Sequence, residues 1–297
     1  CSGVNPLLIR DAMMNEWPEP QPLRDPRQAS GVMDVPLEWL ESLGGTDAPS
    51  DAGPPEPPAP PAWRPYGPWA TIGLVLAMIA AQVVLGVFLA IVLLIMGGGL
   101  LTPEQLQKEM LAPALIASIP LQLLLLWAFL RPRIGRPTKR VLDYLAITEP
   151  VSPTGGVYLL MLLGLLAVQT VIEHFVGTPP SQFMYDVWHV RGPMFVALMA
   201  TVIIGAPLAE EAVFRGFMFR GLLPWGRWAA VVVPAVCWAL IHVQYDLISI
   251  GWIFVLGLFL GFVRLRTQST TLCMVLHMVT NIIALMMFGL SMSSPQG

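Results

Sequence analysis

The segment Ala200-Thr-Val-Ile-Ile-Gly-Ala-Pro-Leu-Ala-Glu-Glu-Ala-Val-Phe-Arg215 places two adjacent carboxylates, Glu210 and Glu211, inside an otherwise apolar stretch. A carboxylate at membrane depth costs roughly 2.5–3.5 kcal/mol on insertion scales, and ionisable residues in such places are usually functional. Arg215 follows Glu211 by one helical turn, where the two can pair. The segment therefore predicts a membrane helix that carries a polar, functional site.

The composition of the whole chain supports this prediction. The chain is 55% hydrophobic and only 12% charged, whereas soluble domains carry about 25% charged residues. Several stretches contain no charge over nearly 20 residues, the length that crosses about 30 Å of hydrocarbon. We therefore predict an all-α fold, a polytopic transmembrane helical bundle with a disordered N-terminal tail.

The apolar stretches predict seven membrane spans, or eight if the fourth is broken at Pro207. They cover about 69–96, 111–130, 156–176, 193–223, 228–242, 247–263 and 272–290.

The chain divides into three predicted parts. Residues 1–68 hold about half of the chain's 29 prolines and are acidic, which predicts a disordered tail. Residues 69–150 hold the first membrane helices and a basic loop at 131–140, and residues 151–297 hold the remaining membrane helices. Basic residues concentrate on the cytoplasmic side of membrane proteins. The N-terminus is therefore predicted to be cytoplasmic, in a multi-pass protein of the cell (inner) membrane.

The two glutamates are expected to have different roles. At about 100° per residue, Glu211 and Arg215 are about 40° apart on a helix, whereas Glu210 is about 140° from Arg215. Glu211 is therefore the candidate for a structural ion pair, and Glu210 the candidate for a catalytic base that holds a water. A salt-bridged structural kink is the alternative interpretation of the pair.

Two further segments, Trp238-Ala-Leu-Ile-His242 and His277-Met-Val-Thr-Asn281, each place two functional candidates one helical turn apart. His277 and Asn281 could donate hydrogen bonds to one developing oxyanion, and His242 could share a water with Glu210. A single histidine in an apolar helix is more often a packing residue. A site is favoured here because nearly all strongly polar groups of the last four spans lie in these three motifs.

The three motifs together resemble those of the CPBP family, the CAAX protease and bacteriocin-processing (Abi) intramembrane proteases. The segment from Pro207 to Met218 resembles the family's Glu-Glu-x-x-x-Arg motif. Trp238 to His242 resembles Phe-x-x-x-His, with Trp in place of the usual Phe, and His277 to Asn281 resembles His-x-x-x-Asn or Asp. The resemblance covers about residues 193–291, the expected catalytic core.

The resemblance implies an intramembrane endopeptidase that hydrolyses a peptide bond of a membrane-associated protein or peptide. A water activated by a Glu/His pair would attack the bond, and a His/Asn pair would form the oxyanion hole. The residues implied as catalytic are Glu210, His242, His277 and Asn281. The residues implied as supporting are Glu211, Arg215 and Trp238.

The cofactor prediction has two versions, because the family has been described both as metal-dependent and as metal-independent glutamic proteases. Glu210, His242 and His277 could supply a two-His, one-carboxylate zinc set with an open position. However, the chain has no His-Glu-x-x-His motif, and Asn281 suits an oxyanion donor better. We favour chemistry without a cofactor and keep zinc as the alternative.

The predicted partners are a protein or peptide substrate in or at the membrane and the lipid bilayer, with no nucleic acid. A non-catalytic membrane immunity, adaptor or scaffold protein is the alternative class. The two classes differ in what they expect of Glu210→Gln, which abolishes function only in an enzyme.

Overall fold

The computed structural model describes residues 66–96, 102–134, 138–149, 153–177 and 181–293. Within these ranges the regular elements are all helical, and there is no strand. The helices are α1 (Pro68–Met96), α2 (Pro103–Ile134), α3 (Thr138–Tyr144), α4 (Gly155–Val176), α5 (Gln182–His189), α6 (Pro193–Trp225), α7 (Arg227–Leu240), α8 (Leu247–Thr267) and α9 (Thr270–Ser293). The predicted tail, residues 1–68, lies outside the described residues except for its last three.

In the described ranges, six helices are long and apolar enough to cross a membrane, namely α1, α2, α4, α6, α8 and α9. The predicted fold class, an all-α multi-pass membrane bundle, is thereby confirmed. The remaining apolar helix, α7, stands where the fifth span was predicted, but it has only 14 residues. It is about 21 Å long at 1.5 Å per residue, which is less than the roughly 30 Å of hydrocarbon, and it ends two residues before His242.

Helix α6 has a wider, π-helical winding at two places, one before and one after the glutamates. π-helical turns cover Thr201–Gly205 and Ala212–Met218, and a regular α-helical stretch, Ala206–Glu211, lies between them. The helix continues through Pro207, so the break that would have produced an eighth span does not occur. π-helical turns inside α-helices are frequently found at functional sites.

The second half of α6 forms the centre of the bundle. All residues from Ala212 to Phe219 are buried, and α1, α7, α8 and α9 each contact this part of the helix. Glycines allow α8 to approach α7 closely: a Cβ added at Gly257 would lie 3.0 Å from the Cβ of Ala235. Small residues at helix interfaces are typical of membrane bundles, because they let two backbones pack together.

The contact between α6 and α1 also depends on a glycine. A Cβ added at Gly221 would overlap the side chain of Thr71, which is fully buried and donates a hydrogen bond to the carbonyl of Gly67 at 3.0 Å. Gly221→Ala is therefore expected to push α1 away and to lower the free energy of unfolding by about 1–3 kcal/mol, the usual cost of overpacking. Thermal unfolding of the purified protein in detergent measures this effect.

The matched control is Gly86→Ala in α1, where an added Cβ meets nothing within 4 Å. This variant is expected to be neutral or slightly more stable, because alanine is favoured over glycine inside a helix by about 0.5–1 kcal/mol. Equal stability of the two variants would contradict the close approach of α1 and α6.

Candidate active site

A buried polar contact is centred on Glu211, whose side chain has no exposed surface. Its Oε1 accepts a hydrogen bond from Arg215 Nη1 at 2.8 Å and lies 3.0 Å from His277 Nδ1. Arg215 Nη2 donates to the carbonyl of Gly257 on α8 at 3.1 Å. The i, i+4 ion pair expected from the sequence spacing is thus present, and it extends to α8 and α9.

Glu210 points to a different partner, as its angular separation from Glu211 predicts. Its Oε2 accepts a hydrogen bond from Trp238 Nε1 at 2.6 Å. The adjacent carboxylates of α6 therefore have separate contacts, with α7 for Glu210 and with α9 for Glu211.

Trp238 lies at the middle of the cluster, with 1% of its surface exposed. Its ring is 5.1 Å from the ring of His277 and 5.3 Å from that of His242, in edge-on contact with both. The guanidinium carbon of Arg215 lies 4.6 Å from the same ring. From the sequence, Trp238 is expected only to supply an aromatic ring in place of the family's usual Phe. The indole N–H adds a hydrogen bond to Glu210 that Phe cannot make.

The contact with Glu211 orients His277, which is itself 4% exposed. A carboxylate accepts hydrogen bonds, so Nδ1 carries the proton and donates to Glu211. Nε2 is then left as an acceptor for solvent or substrate, and it becomes a donor only in the imidazolium form. This carboxylate–histidine contact was not predicted, because the sequence assigns Glu211 to Arg215 alone.

Asn281 does not share an acceptor with His277 in the structure. Its Nδ2 donates to the carbonyl of Val202 at 2.8 Å. In the π-helical turn of α6, the N–H of Ala206 bonds to the carbonyl of Thr201, five residues earlier. The same register would pair residue 207 with Val202, but Pro207 has no N–H. The amide of Asn281 therefore occupies a backbone acceptor that Pro207 cannot satisfy.

His242 lies in the turn after α7, with Nδ1 at 2.7 Å from the carbonyl of Trp238. A carbonyl only accepts, so Nδ1 carries the proton and Nε2 is the acceptor. Among the described residues, Glu210 accepts a hydrogen bond from the indole of Trp238. The ring of His242 contacts the same indole. Glu210 and His242 thus share a contact with Trp238, and the water that they are expected to share stays a prediction.

The zinc set predicted from Glu210, His242 and His277 is not assembled in the structure. Within the described ranges, no group of three or more His, Cys, Asp and Glu side chains is placed to hold a metal ion. Both histidines use Nδ1 toward a carbonyl and Glu211, which leaves Nε2 as the ring nitrogen that could bind a metal. Zinc and chemistry without a cofactor therefore both stay predictions, and we derive no step through a metal.

Arg264 supports the site in a way that the sequence analysis missed. Helix α8 extends to Thr267, so Arg264 lies inside the helix and is buried, with 1% of its surface exposed. Its Nε donates to the carbonyl of Arg215 at 3.0 Å, and its Nη1 donates to Gln268 Oε1 at 3.2 Å. The sequence predicts that the sixth span ends at 263, just before Arg264, whereas α8 continues to Thr267. The i, i+4 spacing to Gln268 is the sequence signal that could have indicated a helical position.

Comparison with known proteins identifies the class of this region. Residues 192–283 match the sequence model of a family described as Rce1-like, type II CAAX prenyl endopeptidase. This is the CPBP family, so the resemblance is confirmed over this segment of the chain.

The chain is also similar to an Escherichia coli protein described as an uncharacterized 24.3 kDa protein. The two are 29% identical over 134 residues, which cover 42% of this chain and 62% of that protein. The matched part thus spans less than two thirds of the relative's length. No solved structure matches the chain.

The hydrogen bond between Trp238 and Glu210 can be tested with Trp238→Phe, which keeps an aromatic ring and removes the N–H. We expect the free energy of unfolding to fall by about 1–3 kcal/mol, because Glu210 loses its donor. Chemical or thermal unfolding in detergent measures the change. Trp228→Phe is the control, because Trp228 is 70% exposed and its replacement is expected to change stability little. If Trp238→Phe changes stability as little as Trp228→Phe does, the hydrogen bond between Trp238 and Glu210 does not contribute to stability.

The pairing of Asn281 with the carbonyl of Val202 can be tested with a double-mutant cycle. Asn281→Ala is expected to destabilise the protein by about 1–3 kcal/mol, because a part-buried carbonyl loses its donor. In a Pro207→Ala background the new N–H can bond to α6 itself, so the same change is expected to cost less. Unfolding of the two single variants and the double variant gives the coupling energy. Additive effects would show that Pro207 and Asn281 are independent.

Proposed function

We propose that this protein is an intramembrane endopeptidase that hydrolyses a peptide bond of a membrane-associated protein or peptide. The observation that carries the proposal is the buried polar cluster in which Glu210, Glu211, Trp238 and His277 meet at the junction of α6, α7 and α9. Ionisable groups inside an apolar bundle are costly and are usually kept for function. The cluster lies within residues 192–283, the part that matches a family of endopeptidases.

In this proposal Glu210 is the general base. It takes a proton from a water molecule as the water oxygen bonds to the carbonyl carbon of the scissile peptide. The electron pair of the carbonyl moves onto its oxygen and forms an oxyanion. The carbonyl re-forms as the C–N bond breaks, and Glu210 returns the proton to the departing amine. His242, whose Nε2 is not used by the carbonyl of Trp238, helps to hold the water.

The remaining polar residues orient the site. Glu211 fixes the ring of His277, and Arg215 holds Glu211 in turn through an ion pair of 2.8 Å. In this proposal the second N–H of the Asn281 amide faces the oxyanion together with Nε2 of His277, which donates to it in the imidazolium form. A buried ion pair seldom adds net stability, whereas removing one partner is costly, so its value here lies in the fixed position of His277.

The substrate class follows from the membrane setting and from the family description. A peptide bond reaches a cluster inside the bundle only if its protein is held at the bilayer. The family description names prenyl endopeptidases, so a protein anchored by a C-terminal lipid is the first class to test. We also propose a location in the cell (inner) membrane, with the acidic tail and the basic loops in the cytoplasm.

The proposal is tested by Glu210→Gln, which keeps the size of the side chain and its contact with Trp238 but removes the base. Loss of a general base is expected to lower the cleavage rate by about 10²–10⁴-fold. Comparing the membrane proteomes of cells that express the wild-type and variant proteins reveals any fragment that requires Glu210.

Glu109→Gln is the matched control, because Glu109 is an exposed glutamate of α2 outside the cluster. The control is expected to leave every fragment unchanged, and both variants should be present in the membrane at the wild-type level. Identical fragments in wild type and Glu210→Gln would reject the protease proposal and favour a non-catalytic membrane protein.

A further inference from the structure

The oxyanion donors implied by the family resemblance are partly occupied by the protein itself. Asn281 donates one N–H to the carbonyl of Val202, and His277 donates from Nδ1 to Glu211. A tetrahedral intermediate carries a negative charge on its oxygen and is stabilised by donors that are already in position. An additional neutral donor close to Glu210 and His242 would meet this need.

Tyr245 lies beside His242, in the turn between α7 and α8. Its backbone N–H donates to the carbonyl of His242 at 3.1 Å, which holds the turn closed. Its ring lies 6.1 Å from the ring of His242, with an angle of 37° between the planes. On another side it contacts Phe183 of α5, with ring centroids 5.3 Å apart. The ring is thus held between a short helix and a residue of the candidate site.

The hydroxyl of Tyr245 is available as a donor. It makes no hydrogen bond with the part of the chain that the structure describes, although Tyr245 is not an exposed residue. Burial raises the pKa of Tyr245 well above its ordinary value, and the carboxylate of Glu210 raises this pKa further. The phenol therefore keeps its proton throughout the neutral range.

We propose that Tyr245 is a further catalytic residue, whose hydroxyl donates a hydrogen bond to the oxyanion formed at the scissile carbonyl. The inference rests on the proposed function and deepens it. The phenol keeps its proton throughout, so Glu210 still carries the proton from the water to the leaving amine. The hydrogen bond strengthens as charge develops on the carbonyl oxygen and weakens again when the carbonyl re-forms.

The test uses Tyr245→Phe, which removes only the hydroxyl and keeps the ring contacts with His242 and Phe183. The substrate is a synthetic peptide that spans the bond cut in a Glu210-dependent way in cells. Removing one oxyanion donor typically lowers kcat by about 10²–10³-fold, so we expect a fall in kcat on the order of 10²-fold with KM unchanged.

The matched control is Tyr185→Phe, a part-buried tyrosine of α5 whose ring packs on Phe288 at 5.1 Å. This control is expected to keep wild-type kinetics.

A second measurement separates catalysis from packing. A hydrated peptide aldehyde of the same sequence resembles the tetrahedral intermediate, whereas the product peptide does not. Tyr245→Phe is expected to weaken inhibition by the aldehyde by about the same factor as kcat/KM and to leave product binding and thermal unfolding unchanged. If aldehyde and product binding weaken together, Tyr245 acts through packing and the inference is overturned.

Failure of this inference can be told apart from failure of the proposed function. If cleavage requires Glu210 but Tyr245→Phe cleaves at the wild-type rate, the Tyr245 inference is rejected and the protease proposal stands. If no fragment in cells depends on Glu210, both are rejected. The expected result is that formation of the fragment is lost with Glu210→Gln, strongly slowed with Tyr245→Phe and unchanged with Tyr185→Phe.

Discussion

The arrangement of the site depends on one buried oxygen atom, Oε1 of Glu211, which faces both Arg215 and His277. Removing a charge from water is expensive, and an ion pair repays that cost only with good geometry and further hydrogen bonds. Those further bonds extend to other helices: Arg215 reaches the carbonyl of Gly257, and Arg264 holds the carbonyl of Arg215. Because these bonds cross from one helix to the next, α6, α8 and α9 have little freedom to shift separately.

Trp238 contacts Glu210 directly, and it also contacts Arg215 and His277, the two partners of Glu211. Its indole N–H bonds to Glu210, while its ring contacts Arg215 and both histidines. Glu210 therefore has a neutral donor as its partner, whereas the neighbouring Glu211 is paired with the charge of Arg215. One aromatic side chain thus lets two adjacent carboxylates have unlike surroundings, the condition under which identical groups can take different chemical roles.

The sequence predicted the fold class, because charge-free stretches of sufficient length have few alternatives to membrane helices. It also predicted the divergent directions of Glu210 and Glu211, since these follow from the angle per residue inside one helix. It did not predict the Glu211–His277 contact, the pairing of Asn281 with Val202 or the burial of Arg264. Each of these depends on how separate helices pack and on where α6 changes its winding. The helical periodicity of one segment carries no information about either.

The two π-helical stretches of α6 bear on how this chain can be compared and altered. Each wider turn accommodates an additional residue, and one residue corresponds to about 100° of rotation in a regular α-helix. A relative that lacks one residue in Thr201–Gly205 could keep its apolar character and its length almost unchanged and still turn both acids toward lipid. When a relative is aligned with this chain, the position of a gap in this short stretch therefore matters more than the percentage identity. It decides whether the aligned Glu-Glu pair faces the interior of the bundle.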